Sequence, residues 1–588
     1  MNKNPYLNLL QTIWKFAAGM RGKLIFIYIL FILSNLVRMI EPLILGKFLN
    51  VIQKGGPDVL RTSTILLGFY AFLNLINWSF HGPARCIERD LSFKIYKNFK
   101  EKMFQIITAL PLKWHKNNHS GKTIDKVEKS SRALKNFTDE IYVYFESIIP
   151  FIFSFIAIIL IMKWSSVFLI FFGFAVILAI FNFDKILIAT MKKQNKLGHQ
   201  VSSTFYDYIS NITTVITLRL EKMAQKEFVQ KILNVFPVYK KHIVANEIKW
   251  FTVSMTMTSA QFTIILFYVH QTFSVNSTIM IGNLMMLYSY MDKFIDVFFG
   301  MAWKYEHLVM CSTDILTVNN IYEAEKKFSE KTKIKKIKKW EKIKIKNCFF
   351  KYKDEKNEIH TLEKINLNLT KNKKIALIGE SGSGKSTLMI LLRGLDVANK
   401  IEIEVDEKKF SDSRIFSEIT TLIPQDPEIF ENTIKYNITL GIESRKSEIE
   451  KAIKLAAFEK VVAKLPKKID TNIREKGVNF SGGEKQRLAL ARGIFAAKKS
   501  SIILLDEPTS SVDAKNEQQI YKNLLENFRD RCIISSIHKL HLLPLFDEIY
   551  FLEKGKILER GSFQNLISKN GHFQKMWKNY QKNLAEKN

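Results

Sequence analysis

Nine consecutive residues, Gly379-Glu380-Ser381-Gly382-Ser383-Gly384-Lys385-Ser386-Thr387, fit the pattern G-x-x-x-x-G-K-[ST]. Their types suit one chemistry. Glycines let backbone N–H groups approach phosphate oxygens closely, Lys385 can reach β- and γ-phosphates, and the Ser386 hydroxyl can ligate Mg²⁺. The apolar run 375–378 before them reads as a buried strand, and 388–395 after them as a helix. The loop therefore opens a helix, where N–H groups and the positive end of the helix dipole meet. A chance Gly/Ser turn lacks that flanking, and the stretch is expected to hold a nucleotide.

Two further strand ends carry matching chemistry. Ile502-Ile503-Leu504-Leu505-Asp506-Glu507 is an apolar strand ending in two carboxylates. Asp506 would hold a metal through water, and Glu507 would polarise an attacking water. Ser535-Ser536-Ile537-His538 ends another β-rich run, and strand C-termini in a parallel sheet face the ligand crevice, so His538 is expected to contact a γ-phosphate. Ser481-Gly482-Gly483 precedes a helical run over 484–495, a second helix N-terminus suited to phosphate. One chain can hardly aim both helices at one nucleotide, which points to sharing between two copies.

These residues all lie in the second half of 588, and the elements that must position them alternate like a soluble α/β protein from about residue 340. The first half differs. It carries apolar runs over 24–50 (with Pro42 and Gly46), 60–80, 148–162, 167–183, 250–268 and 279–302, the last two more polar. Each is near the roughly 20 residues that cross a bilayer core. This split explains a mean hydropathy of −0.02 beside 24% charged residues. The net charge of +32 sits in alternate loops, the positive-inside distribution of a membrane protein rather than a nucleic-acid surface. Segments 48–59, 163–166 and 270–277 are short, with Lys54 and Lys163 as their only Lys or Arg; 84–140 and 185–249 are long and Lys-rich, hence cytosolic, with both termini inside. Helical patterning carries the spans into the cytosol, with tips expected at 113–121 and 206–214. Residues 4–23 place Leu7, Leu10, Ile13, Trp14 and Ala17 at helical spacing with no small-residue cleavage site after them, and read as an amphipathic helix in the inner headgroup layer. Residues 318–346 are basic, and 342–346 alternate with period two like a first edge strand. Cys86, Cys311, Cys348 and Cys532 show no metal-ligand spacing, so reduced thiols and no zinc site are expected.

In this order and spacing the motifs make the chain similar to ABC transporters of the exporter type, a half-transporter with its membrane domain fused to its nucleotide-binding domain. The resemblance covers essentially the whole chain. It implies that Phe480-Ser481-Gly482-Gly483-Glu484 is the signature motif, reading the γ-phosphate bound to the opposite subunit. It implies that Gln425, in Pro424-Gln425-Asp426, couples Mg²⁺ and water to the membrane domain, and that Ser510-Ser511-Val512-Asp513 crosses the dimer interface. Tyr352, in Phe349-Phe350-Lys351-Tyr352, stands where the family stacks an aromatic on adenine. Phe480 replaces the usual Leu and Glu484 the usual Gln, and the segment before Gln425 is short and lacks the usual glycine turn. None of these departures removes a catalytic group.

The expected fold is a membrane α-helical bundle of six transmembrane helices with long cytosolic extensions, followed by an α/β P-loop ATPase domain with a helical subdomain. Its parts are an amphipathic elbow helix (1–22), the membrane domain (23–317), a basic linker (318–340) and the nucleotide-binding domain (341–588). The expected catalytic set is Glu507, His538, Gln425 and Lys385, with Mg²⁺ at Ser386, Gln425 and Asp506. The expected activity is ATP-driven export or flipping of a hydrophobic or amphipathic substrate (lipid, drug or peptide) by alternating access. Its partners would be a second copy, favoured over a paralogous half-transporter, and membrane lipid, with no nucleic acid. The location would be a bacterial inner membrane with the ATPase domain in the cytosol. The tips near Trp114–His115 and 206–210 would dock on that domain. An ATP-gated channel or regulator, or an importer on the same architecture, is the alternative; Glu507 and His538 favour repeated turnover over gating. In the sixth span Asp292 and Asp296 share a helix face. They either pair with Arg38, whose helix carries Glu41 a turn on, or reach the inner headgroups, or line a cavity for an amphipathic, cationic cargo.

Overall fold

The apolar runs of the first half fold into helices much longer than a bilayer is thick. The computed structural model describes residues 5–585 apart from 119, 277–278, 330–336, 338, 354–358, 427 and 474–479. It divides into one unit of 1–109 with 120–324 and another of 110–119 with 325–588.

The first unit opens with α1 (Pro5–Phe16), then α2 (Arg21–Arg38), α3 (Glu41–Lys54) and α4 (Val59–Ala109). After the short α5 (Leu112–Asn117), which groups with the second unit, come α6 (Ser120–Asp139), α7 (Ile141–Ile161) and α8 (Ser165–Ser210). The short α9 (Ile212–Thr217) and α10 (Glu221–Leu233) lead to α11 (Phe236–Asn276), α12 (Ile281–Leu316) and α13 (Asn319–Ser329), within which the first unit ends at Ala324. With 51 residues α4 is about 75 Å long, more than twice a hydrocarbon core. Five helical stretches are long and apolar enough to cross a membrane by length and composition: Arg21–Lys54, Val59–Ala109, Ser120–Ile161, Ser165–Ser210 and Glu221–Ser274. The chain is thus an integral membrane protein. The sixth long helix, α12, falls outside that set and carries Asp292, Lys293 and Asp296. It is instead pinned by close packing. A Cβ on Gly282 would stand 1.9 Å from the Gly46 carbonyl oxygen, so α3 and α12 meet backbone to backbone, as small residues allow in membranes. Asn50 closes the contact, accepting from the Gly282 N–H at 2.8 Å and donating to Asn283 at 2.8 Å.

Three local expectations are corrected in this unit. α1 is not apolar on the expected face alone: Leu9, Ile13 and Ala17 are buried on the bundle, whereas Leu7, Leu10 and Trp14 form an exposed stripe. The second tip, expected at 206–214, starts inside that range at Asn211, where α8 ends, but runs on beyond it through α9 to Arg219, whose φ of 56° breaks the helix. Much of the expected 318–340 linker is the helix α13.

In the second unit β1 (Lys342–Lys353), β2 (Ile359–Thr370), β3 (Lys374–Ile378) and α14 (Lys385–Leu392) precede the hairpin β4 (Lys400–Val405) and β5 (Lys408–Phe410). β6 (Thr420–Ile423) leads into helices α15 (Ile434–Thr439), α16 (Lys446–Leu455), α17 (Glu459–Lys464) and α18 (Gly482–Ala496). β7 (Ile502–Asp506), α19 (Ala514–Asn527), β8 (Cys532–Ser536), β9 (Glu548–Glu553), β10 (Lys556–Gly561), α20 (Phe563–Ser568) and α21 (His572–Ala585) complete it. The strands form an antiparallel sheet β2-β1-β4-β5 and a six-stranded sheet β10-β9-β3-β8-β7-β6. β1 therefore lies between two partners rather than at an edge. Its alternation is real, with Ile343 and Ile345 buried, and Lys344 and Lys346 bond Glu404 of β4 at 3.0 and 3.1 Å. The missing glycine turn is supplied by Asp406 and Glu407 at φ 43° and 75°, the Asp406 carboxylate accepting from the Glu341 and Lys342 N–H groups.

The larger sheet is parallel from β9 to β6 and buried on both faces, which is why its strands are uninterrupted apolar runs. Ile375 and Leu377 of β3, with Ile502 and Leu504 of β7, enter the core shared with the antiparallel sheet and α14. Ala376, Ile378, Ile503 and Leu505 enter the core beneath α15 to α19. Lys374, at the start of β3, is buried and donates to the carbonyls of Phe528 (2.8 Å) and Arg531 (2.7 Å), tying β3 to the turn that feeds β8. Replacing it by Met strands those carbonyls. Lys374→Met should lower the unfolding free energy of this unit by about 2–3 kcal/mol, read from denaturant midpoints of the full chain at unchanged slope.

Candidate nucleotide site

The sheet order brings the chemistry together. β3, β8, β7 and β6 are neighbours and parallel, so the loops after them leave from one edge. The register puts Leu377 and Asp506 each opposite Ser536. The Ser536 hydroxyl then donates to Asp506 at 2.8 Å and accepts the Glu507 N–H at 2.9 Å. Glu507 itself has φ 45°, a left-handed conformation that a non-glycine residue holds at some cost. That turn sends its carboxylate into the crevice while Asp506 stays buried.

One cavity of about 770 Å³ collects Ser381, Gly382, Ser383, Gly384, Lys385, Ser386 and Thr387 with Gln425, Glu507 and His538. Both Glu507 oxygens are engaged: His538 Nε2 lies 2.6 Å from one, and Gln425 Nε2 donates to the other at 2.9 Å. Lys385 donates two of its three N–H groups back to the carbonyls of Gly379 (2.8 Å) and Glu380 (3.0 Å). Burial pulls its ammonium below the usual lysine range, the nearby Glu507 and Asp506 carboxylates acting against that shift. Gly384 caps α14 at φ 101°. A Cβ there would meet Leu362 at 2.6 Å, and one on Gly379 the Leu552 carbonyl at 2.1 Å, so the loop hugs the sheet because these positions lack side chains.

The loop fits a polyphosphate. Ser383 Oγ is buried without a partner, and a Cβ on Gly382 would meet nothing within 4 Å, so an acceptor-seeking hydroxyl and open backbone flank the same hollow. Among the described residues no cluster of three or more His, Cys, Asp or Glu side chains could cage a metal. A cation here would rest on Ser386, Gln425, Asp506, phosphate and water, the sparse oxygen set that Mg²⁺ accepts.

Not every expected residue joins this cavity. Phe480 is buried against Phe458, and Ser481 caps α18 in a reciprocal box with Glu484, whose carboxylate accepts from the Ser481 N–H (2.8 Å) and hydroxyl (2.9 Å). The Glu at this position thus serves the cap. Gly482 and Gly483 pack on Ser511, where a Cβ on Gly483 would stand 2.7 Å from the Ser511 carbonyl. These five residues are absent from the lining of the P-loop cavity. Tyr352 lies in β1 opposite His360, and its side chain is outside the described residues.

The structure adds residues that the motifs did not indicate. Gln486 is buried and donates to Ser510 Oγ (2.6 Å) and the Gln425 carbonyl (3.4 Å) while accepting the Ser511 N–H (2.8 Å). Glu517 accepts from Thr509 at 2.7 Å and pairs with Lys539, next to His538, at 3.2 Å. Lys554 and Gly555, the β9–β10 turn, line the cavity with Thr361; Gly555 donates to the Ser383 carbonyl at 3.1 Å and accepts from Glu363 at 2.9 Å. A Lys-Gly turn between alternating strands was visible in sequence, but not its distance of 172 positions from Ser383 along the chain.

Comparison with known proteins agrees with this geometry. Residues 362–510 match the family model described as ABC transporter, and 24–297 the model described as ABC transporter transmembrane region, together more than half of the chain. A protein named as a multidrug export ATP-binding/permease protein from Staphylococcus aureus is 27% identical over 87% of this chain and 89% of its own. The mitochondrial ABC transporter B family member 24 of Arabidopsis thaliana is 35% identical over 40% of this chain, which spans only 34% of that protein's length. A solved bacterial Atm1-family ABC exporter with ATP bound has the same fold, with a TM-score of 0.80 at 20% identity over 96% of this chain and 99% of its own.

Gly555 offers a check on the cavity wall. At φ 77° and with the Thr361 carbonyl 1.9 Å from a built Cβ, Gly555→Ala cannot be accommodated in place. It should cost about 2–4 kcal/mol of stability and weaken ATP binding by about tenfold, measured by thermal unfolding with and without nucleotide.

Proposed function

The chain belongs to the ABC transporter family, with membrane and ATPase halves in one polypeptide, and on that premise we propose that two such chains clamp two ATP molecules between them and export an amphipathic substrate by alternating access. ATP binding and ATP-driven export follow from the family. The observation that supports the finer reading is the convergence of the P-loop, Gln425, Glu507 and His538 on one cavity, in a chain whose other half, assigned to 23–317, is built to span a membrane. We assign the ATPase domain to 341–588 and place it in the cytosol, the membrane being a bacterial inner membrane on the charge distribution of the loops.

Lys385 and the P-loop N–H groups would hold the β- and γ-phosphates. Mg²⁺, bound with ATP at Ser386, Gln425 and Asp506, would supply charge neutralisation of the phosphate oxygens. Glu507 would take the proton of the attacking water; each of its oxygens meets one partner, His538 or Gln425, and keeps a second lone pair for that water. His538, freed of Glu507, would donate to the γ-phosphate. Tyr352 is placed against adenine by analogy of position. Because Ser481, Gly482 and Gly483 do not line the P-loop cavity of their own chain, we assign them to the nucleotide of a second chain, and a homodimer is the simplest arrangement in which every motif is used.

Glu507→Gln should keep the phosphate cradle and bind MgATP normally, yet turn over at least about 10²-fold more slowly. Near-normal hydrolysis by the purified variant would remove Glu507 from the assigned role.

Shared sites make a separate claim on geometry. Cysteines at Ser383 and Ser481, introduced singly into two differently tagged copies on the Glu507→Gln background, should crosslink between chains when MgATP is present and not without it. Crosslinks that form only when both cysteines are in one chain would contradict the shared site.

A further inference from the structure

The membrane half holds a second cavity, of about 320 Å³, whose lining is mainly polar. Arg38, Glu41, Glu146, His81, Asn74 and Asn77 face it from α2, α3, α7 and α4. Counted along each helix from the short turns, Arg38, Asn74, Asn77, His81 and Glu146 lie roughly 22–33 Å in, toward the cytosolic side of a core about 30 Å thick. Charges at such depth are costly unless they meet water, each other or a ligand.

They meet each other poorly. The closest ion pair of Arg38 among the described residues is Glu146 at 3.9 Å, beyond hydrogen-bond reach, and the Arg38 side chain is 49% exposed. Arg38 makes no close ion pair with Asp292 or Asp296, the exposed carboxylates of α12, although its charge is felt at Asp296. Glu41 has no close ion pair among the described residues. The amides are better held, since Ser34 is buried and donates to Asn77 at 2.6 Å, which fixes one wall. Trp78 also lines the cavity and is 63% exposed, an aromatic face open to a cation.

The charge inventory selects a ligand class. A guanidinium with free N–H groups asks for a carboxylate or phosphate, which it binds through two parallel bonds. A ligand with an acid alone would lie against Glu41 and Glu146. A ligand with an ammonium alone would leave Arg38 unanswered. From this arrangement, and resting on the export reading above, we propose that the cavity is a substrate subsite for a zwitterionic group, one ammonium and one acid in the same molecule. Arg38 receives the acid, Glu146 and Glu41 with Trp78 receive the ammonium, and Asn74 and Asn77 hydrogen-bond the atoms between. The volume suits a lipid headgroup or a dipeptide-sized molecule.

The test uses the purified full chain without nucleotide and measures binding of two matched pairs. Lysophosphatidylethanolamine and lysophosphatidylglycerol differ in the ammonium on a membrane-borne source; alanyl-alanine and N-acetyl-alanyl-alanine differ in it on a water-borne one. In at least one pair the zwitterion should bind about tenfold more tightly than its acid-only counterpart, and the pair that responds identifies the source. Arg38→Gln should weaken that zwitterion about tenfold. Glu146→Gln should erase the preference by tightening the acid-only member, a change of selectivity that loss of structure does not produce. If either variant fails to fold, Asn74→Asp should weaken the acid-only member several-fold more than the zwitterion. Equal binding within both pairs, no binding of either, or a preference untouched by these substitutions overturns the subsite and leaves Arg38 and Glu146 as a structural pair. ATP turnover in the same preparations separates the two readings. Turnover without charge-selective binding overturns the subsite alone, and selective binding without turnover overturns the export reading alone.

Discussion

Ser536 sets the level on which the ATPase half depends. It stands at the C-terminal end of β8, flanked by β3 and β7 in parallel register, and its hydroxyl bonds both to Asp506 and to the N–H of Glu507. A parallel sheet offers slanted, evenly spaced bonds and no hairpin to fix its register, so the side-chain packing on both faces must do so. Here it does. A slip of one residue in β7 would exchange Ile502 and Leu504 for Ile503 and Leu505 between two cores of different shape. The same slip would carry the Asp506 and Glu507 carboxylates away from the P-loop. Burial of aliphatic side chains therefore fixes the positions of two acids that make few bonds of their own.

The membrane half obeys the opposite economy, since lipid offers no driving force for apolar helices to associate. Its contacts are made by what the helices lack or by what they carry against their surroundings. Gly46 and Gly282 let two backbones touch, Asn50 bonds across that contact, and Lys249 of α11 is buried beside Asp184 of α8 at 3.4 Å. A polar residue in such a helix is either glue of this sort, with a close partner, or it waits for one. By that criterion Asn50 belongs to the first class and Arg38 to the second.

What the sequence made legible follows from range. The P-loop, the acidic strand end and His538 were readable because each is a local pattern whose chemistry is carried by adjacent residues. Their convergence was readable because strand C-termini in a parallel sheet share an edge. Where the outcome depended on distant pairing, local pattern misled. Period-two alternation over 342–346 correctly forecast which side chains are buried but says nothing about neighbours, and β1 lies inside its sheet because β4 pairs with it across some 50 residues. The turn at Asn211 falls inside the tip expected at 206–214, but six residues of mixed Ile, Val and Thr gave no local sign that they form the short helix α9 rather than a turn. Gly555 showed locally only as a turn and Gln486 not at all; their importance comes from Ser383 in one case and from Ser510, Ser511 and Gln425 in the other.

Gln486 also ties the end of α18 to the acid at the P-loop within one chain. The N-terminus of α18, which carries Ser481, Gly482 and Gly483, rests directly on Ser511. One turn into that helix, the Gln486 amide holds Ser510 and Ser511 on one side and the Gln425 backbone on the other. Gln425 in turn holds Glu507. The Gln486 bonds to Ser510 (2.6 Å) and Ser511 (2.8 Å) are short and half-buried, the one to the Gln425 carbonyl is long at 3.4 Å, and the Gln425–Glu507 bond is exposed. A shift of the α18 end would therefore act first on Ser510 and Ser511, which Gln486 holds most closely, and more loosely on Gln425. Moving Gln425 changes the hold on the Glu507 carboxylate. The path from the end of α18 to the acid at the P-loop is thus three residues long and lies entirely within one chain.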